Sequence, residues 1–296
     1  QYRRLLREAK NYERGLKMIP LLIHLPPTSD DIEGSSRDQR DLTEEVLSQA
    51  QVMYNIISST ATKGFKSKMY GQRHISFEII SREGLVHYYA VVPIVLVDAA
   101  AYPSARLEEM KETNIFSKIG RISGTIGGEF SLKKSFVYPI ATYQESKRDA
   151  SRALLNALSA ATKDDGIGVQ FLLRPAYNGW AKVSETHIEN MKKSKKGSSS
   201  PGFARELMEA LWKPPEAPDD KKKAGLEEKQ LNSLEQAEAD AIAEKTRYPA
   251  YEVLVRVVVS SNTAARSQAL LKNIIAAFSL FDSQRNNGFK FSLSRN

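Results

Sequence analysis

The sequence predicts an α+β fold built as two α/β subdomains. Three features point to it: stretches where apolar residues alternate with polar ones, stretches where they recur every three or four residues, and the way the two kinds take turns along the chain. At 296 residues the chain is long enough to bury two ordinary cores. Hydrophobic residues make up 41% and charged residues 26%, which are globular proportions. The mean hydropathy of -0.41 signals polar stretches that dilute the folded parts.

Residues 1–40 read as a basic juxtamembrane arm and a loop. Arg3, Arg4, Arg7, Lys10, Arg14 and Lys17 stand against only Glu8 and Glu13, and the apolar MIPLLIHLPP follows. These basic residues are candidate membrane-surface contacts, each worth about 1 kcal/mol against anionic lipid; the other reading is a solvated helix. TSDDIEGSSRDQRD, Thr28 to Asp41, is polar and rich in glycine and serine, a loop signature.

The first subdomain is expected over 41–132. Asp41 is placed to cap a helix, with Glu44 as its capping-box partner. Leu42, Val46, Leu47, Ala50, Met53, Tyr54 and Ile57 fall on one face of that helix, and Gly64 supplies a stop. HISFEIISREGLVHYYAVV reads as two strands joined by a turn at Arg82 to Gly84.

GRISGTIGGEFSLKKSF, Gly120 to Phe136, tempts a phosphate-loop reading that its spacing refuses. G-x-x-x-x-G-K-[ST] folds backbone amides around phosphate with a lysine beside them, and no glycine here has another at the required distance. Ile122, Gly124, Ile126, Gly128, Phe130 and Leu132 instead alternate with Arg121, Ser123, Thr125, Gly127, Glu129 and Ser131. That pattern is a long strand weakened by glycine.

The second subdomain is expected over 133–296. FVYPIA reads as a strand, Ala150, Ala153, Leu154, Ala157, Leu158 and Ala161 as one helix face, KDDG as its stop, and GVQFLLR as a second strand. The order recurs near the end. YEVLVRVVVSS is a strand, Asn262 or Thr263 caps a helix burying Leu270, Leu271, Ile274, Ile275, Phe278 and Phe281, and Asn287-Gly288 turns into GFKFSL. Two βαβ units of similar length predict a ferredoxin-like βαββαβ sheet with helices on one face. A helical, partly disordered insertion interrupts it at about 176–248, because KKSKKGSSSPG and KPPEAPDDKKKAGLEEK bury too little apolar surface to offset their ordering entropy. FARELMEALW and the acidic LNSLEQAEADAIAEKT are helical in pattern.

No catalytic constellation emerges. The four histidines are scattered, cysteine is absent, and H-E-x-x-H and G-x-S-x-G do not occur, so no catalytic, cofactor-binding or metal residue is assigned. The longest apolar uncharged run, Leu85 to Val97, contains a proline and falls short of the roughly 20 residues that a spanning helix needs. Lysine plus arginine exceed aspartate plus glutamate by 43 to 35, a net +8, which favours phosphate-bearing surfaces. Lys192, Lys193, Lys195 and Lys196 are the candidate nucleic-acid contacts, although no aromatic residue interleaves them and a solvated linker explains them as well. Phe289 and Phe291 are spaced for one strand face, where core packing is the expected role.

Several phrases taken together carry a resemblance: KNYERGLKMIPLLIHLPP, FKSKMYGQRHISFEI, AYPSARLEE, NIFSKIGRISGTIGGE, YPIATYQESKRDA and TRYPAYEVLVRVVVSSNTAARSQALL. They resemble the amino-terminal region of a bacterial family of membrane-anchored, type IV secretion and conjugative-transfer-like ATPases, related to the hexameric DNA-pumping translocases. The likeness covers most of the chain outside the two linkers. It implies a membrane helix before the basic arm and a P-loop ATPase domain after the last residue, so the chain is expected to be a piece of a longer protein. It further implies a noncatalytic assembly platform at the cytoplasmic face of the bacterial inner membrane. Its partners would be other subunits of the same protein, as in a hexamer, the secretion or transfer machinery, and the membrane. ATP and magnesium are implied only for the following domain. One departure is PIVLVDAAAYP, Pro93 to Pro103, which leaves room for about two helical turns where the family usually has a longer helix. Two other readings stand beside this one: a nucleic-acid-binding module, and a protein adaptor that docks through the acidic helix Leu231 to Lys245.

Overall fold

The computed structural model describes residues 18–24, 54–55, 57–58, 74–93, 106–109, 124–141, 150–177, 179–192, 232–283 and 287–294. Along the chain these form β1 (Met18–His24), β2 (Ile75–Arg82), β3 (Leu85–Pro93), β4 (Arg106–Glu109), β5 (Gly124–Leu132), α1 (Ala150–Ser159), β6 (Gly166–Pro175), α2 (Trp180–Lys192), α3 (Ser233–Lys245), β7 (Tyr251–Ser261), α4 (Ala264–Phe278) and β8 (Phe289–Leu293). The fold is mixed α+β. Among the described residues no helix is long and apolar enough to cross a membrane.

All eight strands join one sheet in the order β4-β1-β3-β2-β6-β7-β5-β8, with every neighbouring pair antiparallel. That order is a palindrome. From each outer edge inward the strands run fourth, first, third, second of their half, and the two second strands, β2 and β6, meet in the middle from Ile75↔Leu173 to Arg82↔Gly166. The sheet is therefore continuous across the boundary expected at residue 132. β1 lies within the stretch read as arm and loop, and β5 pairs only with β7 and β8.

One face of the sheet carries the helices, because each strand alternates. Ile167 and Val169 of β6 and Val255, Val257 and Val259 of β7 point into a core with Leu154 and Leu158 of α1 and Leu270, Ile274 and Phe278 of α4. On the same face a second cluster gathers Leu21, Ile75, Ala90 and Val92 around Ile57. Tyr54, helical like Ile57, packs edge-on against Phe77 and Tyr251 with ring centroids 6.4 and 5.8 Å away. The hydroxyl of Tyr251 donates to the carbonyl of Tyr54, tying the helical residues of the first half to a strand of the second.

The glycines of β5 are explained by close approach. A Cβ at Gly124 would sit 2.5 Å from the backbone of Ala264, so the start of α4 can rest on the strand only without one. Ser267 Oγ donates to the Gly124 carbonyl at 2.7 Å from the same helix. A Cβ at Gly128 would meet the Ser292 carbonyl at 2.1 Å, where β8 runs alongside. Phe130, on the same face, stacks on Phe278 at 4.0 Å and meets Phe291 edge-on at 5.0 Å. Phe289 joins the same ring cluster, so both phenylalanines of β8 are core residues.

FVYPIA is not a strand. Residues 133–141 form turns and irregular backbone, and β5 opens the unit instead. The reason is a competing set of partners: the buried Asn287 side chain donates to the carbonyls of Ser135 at 2.8 Å and Tyr138 at 3.2 Å and accepts from the Lys134 amide at 2.9 Å. Pro139 has no N–H to give a ladder. Val137 is fully buried there, which is why the segment has a strand-like composition.

The helix termini follow local chemistry. Thr263 caps α4 through Oγ1, which accepts from the Arg266 amide at 3.2 Å. Asn232 and Glu235 form a capping box on α3. The β2–β3 hairpin turns on Glu83 (φ 55°) and Gly84 (φ 79°), both left-handed as a two-residue turn of this kind requires. α2 falls in the stretch expected as a helical, partly disordered insertion, where no helix is assigned to these residues. Its pattern is weak because Ser184 is its sole buried residue.

Candidate functional site

The face opposite the helices is the one that bears chemistry. Strand register places Glu78, Gln170, Arg256 and Glu129 in one row across β2, β6, β7 and β5. Gln170 Nε2 donates to Glu78 Oε1 at 2.7 Å, and Ser76 Oγ donates to the same oxygen at 3.1 Å. Further along the row Arg256 Nε donates to Glu129 Oε1 at 3.0 Å. The row is thus a pair of side-chain couples laid end to end.

The next row towards the β2–β3 turn is Ile80, Gly168, Val258 and Gly127. Two of these four lack a side chain, so the surface drops beside the polar row and leaves an open trough of ≈ 710 Å³. Thr125 Oγ1 donates to Ser260 Oγ at 3.3 Å on its far side. The trough reaches from β5 across to β2, so both halves of the sheet contribute to its lining.

A second polar cluster lies where the insertion meets the sheet domain. Tyr138 Oη is 3.1 Å from His187 Nε2 of α2, and the rings meet edge-on at 5.3 Å. Burial pushes the Tyr138 phenol up, and the charge of Glu238 on α3 and its hydrogen bond add to that. Burial pushes His187 down, with Glu238 opposing it in part. Lys134 Nζ lies 5.3 Å above the Tyr138 ring. Lys245 donates to the carbonyl of Phe136, and burial pushes its ammonium down. These groups fasten α2 and α3 to the loop after β5.

Asp165 is the third buried polar centre, with a side chain 3% exposed. Burial alone would raise its carboxyl. Hydrogen bonds from Ser261, from the Thr162 amide and hydroxyl and from Arg266 outweigh that and hold it below the usual carboxylate range. Arg266 also donates to the Ala160 carbonyl at 2.7 Å, so the pair pins the end of α1 to the start of α4. Its role is architectural.

None of these clusters pairs a nucleophile with a base and an electrophilic cradle. Among the described residues no group of three or more histidines and carboxylates could hold a metal ion. The candidate contacts read from the sequence are not brought together. Arg3, Arg4, Arg7, Lys10, Arg14 and Lys17 lie outside the described residues, as do Lys193, Lys195 and Lys196. Lys192 is exposed in the last turn of α2. Asp41, Gly64 and the FARELMEALW helix also lie outside the described residues.

The polar row escaped sequence reasoning, because its members (Glu78, Glu129, Gln170, Arg256) are 41 to 178 positions apart and become neighbours only through strand register. A local signal exists all the same. Each of β2, β5 and β7 carries a charge at an outward position in the middle of an otherwise apolar or glycine-rich run: ISFEIISR, GTIGGEFSL and YEVLVRVVVSS.

With that geometry in place, comparison with known proteins gives one match. The family described as a domain of unknown function (DUF8128) matches residues 39–293. No curated protein and no solved structure matches the chain. The matched span runs from before the first described helical residues to the end of β8, and the chain belongs to this family.

Proposed function

We propose that this chain is a noncatalytic assembly platform, the amino-terminal region of a membrane-associated ATPase of the type IV secretion and conjugative-transfer kind. One observation carries the reading. Eight strands are committed to a single broad sheet whose face away from the helices bears side-chain couples bonded to one another, with no convergent reactive set among the described residues. Such a surface suits protein contact. The sequence phrases that resemble that ATPase family supply the parent, the membrane and the ring.

Within this reading the carboxy-terminal half is a ferredoxin-like module. The support is its strand order, β8-β5-β7-β6, with α1 joining β5 to β6 and α4 joining β7 to β8 on one face. The amino-terminal half has the corresponding order, β4-β1-β3-β2. The basic arm, Arg3 to Lys17, would lie along anionic lipid at the cytoplasmic face of the inner membrane.

The test is removal of this region from the parent protein. ATP hydrolysis by the remaining domain should persist while ring assembly, read by light scattering, is lost. Nucleotide turnover by the isolated chain, abolished by a substitution within it, would overturn the noncatalytic reading; an intact ring without this region would overturn the platform.

A further inference from the structure

Among the described residues, the trough opposite the helices has at its wall a carboxylate with no cation partner. Glu78 receives only neutral donors, Ser76 Oγ and Gln170 Nε2, and both go to Oε1. Among the described residues no group donates to Oε2 and no cation pairs with this carboxylate. Arg256, the cation nearest along the row, is already held by Glu129 at 3.0 Å. The lining beside Glu78 includes Gly168 and Val258, with Ile80 buried next to them at 7% exposure.

We propose that this trough is a docking site for an extended, arginine- or lysine-bearing segment of a partner protein. A basic side chain fits both parts of the site. Its aliphatic stem lies along Gly168 and Val258, and its charged head reaches Glu78 Oε2. An extended segment presents such side chains at every second residue, the spacing at which a run of them can face one surface. Anionic partners are disfavoured here, since nucleic acid or lipid headgroups would meet Glu78 and Glu129 while Arg256, the guanidinium in the lining, is already paired.

The net charge of +8 makes the site easy to test, since a basic peptide is repelled by the chain as a whole. The probe is a fluorescein-labelled peptide of alternating arginine and serine, followed by fluorescence anisotropy on the full chain at physiological salt. Saturable binding is expected, weakened at least about tenfold by Glu78→Gln, which keeps the shape and the bond from Ser76. Arg256→Gln is expected to tighten binding by releasing Glu129. Thermal melts of both variants should match the parent chain. Absence of saturable binding, equal affinity for Glu78→Gln, or tighter binding of a glutamate–serine peptide or a single-stranded oligonucleotide would each overturn the proposal.

Discussion

Glu83 holds a left-handed backbone conformation, φ 55°, that favours glycine or asparagine over a long side chain. Its ion pair with Arg82 is exposed and contributes little. Glu83→Asn should therefore raise stability by about 0.5–1 kcal/mol, seen as a higher urea midpoint with an unchanged slope. Asn287 is the opposite case. It is 2% exposed and binds backbone groups of Lys134, Ser135 and Tyr138. Asn287→Ala strips those partners, and a loss of about 3 kcal/mol is expected in the same experiment. The sequence marks Asn287-Gly288 as a turn but gives no sign of this grip, because the Lys134 amide is 153 positions away. A dipeptide reports its own backbone preference and is silent about distant carbonyls.

At the level of elements, the ends of α1 and α4 are joined through the buried Asp165 carboxylate and the partly exposed Arg266, an ion pair whose strength depends on pH. The Asp165 carboxyl is held below its ordinary value of 3.8, so the stability it contributes is present above that value and is lost as pH falls through the lower folded value. Asp165→Asn should cost about 2 kcal/mol at neutral pH, and the gap from the parent chain should close below about pH 4 in urea titrations. A gap that does not shrink as pH falls below 3.8 would count against the charge as its source. The helices themselves were legible: the apolar faces of α1 and α4 and the alternation of β5, β6 and β7 all appear in the chain as periodicity. Others were not. β1 falls in the stretch read as arm and loop, and β4 has only four residues to show a pattern. α2 hides because Ser184 is its sole buried residue and His187 meets Tyr138 through a polar contact, and FVYPIA misleads because burial of Val137 gives a loop the composition of a strand.

For the whole molecule, the pairing of β2 with β6 is what periodicity cannot foresee. Each half reads as an independent α/β unit, and only register reveals that their second strands share one ladder. The candidate trough inherits that limit, since its lining spans both halves and its charges become neighbours only in the assembled sheet. The palindromic order has a further consequence for the history of the chain. The link from second to third strand is a two-residue turn in the first half, Glu83 and Gly84, whereas in the second half it is everything between Pro175 and Tyr251. Those two residues are themselves paired, so the long segment leaves and re-enters the sheet at adjacent points, like a cassette spliced into a turn. The same site should then accept the reverse edit. Replacing 176–250 by Asn-Gly should leave a soluble chain with a cooperative thermal transition and undiminished strand content by circular dichroism, with the Phe136 carbonyl and Tyr138, the partners of Lys245 and His187, newly bared. A chain that fails to fold would mean that the cassette has become part of the frame it entered.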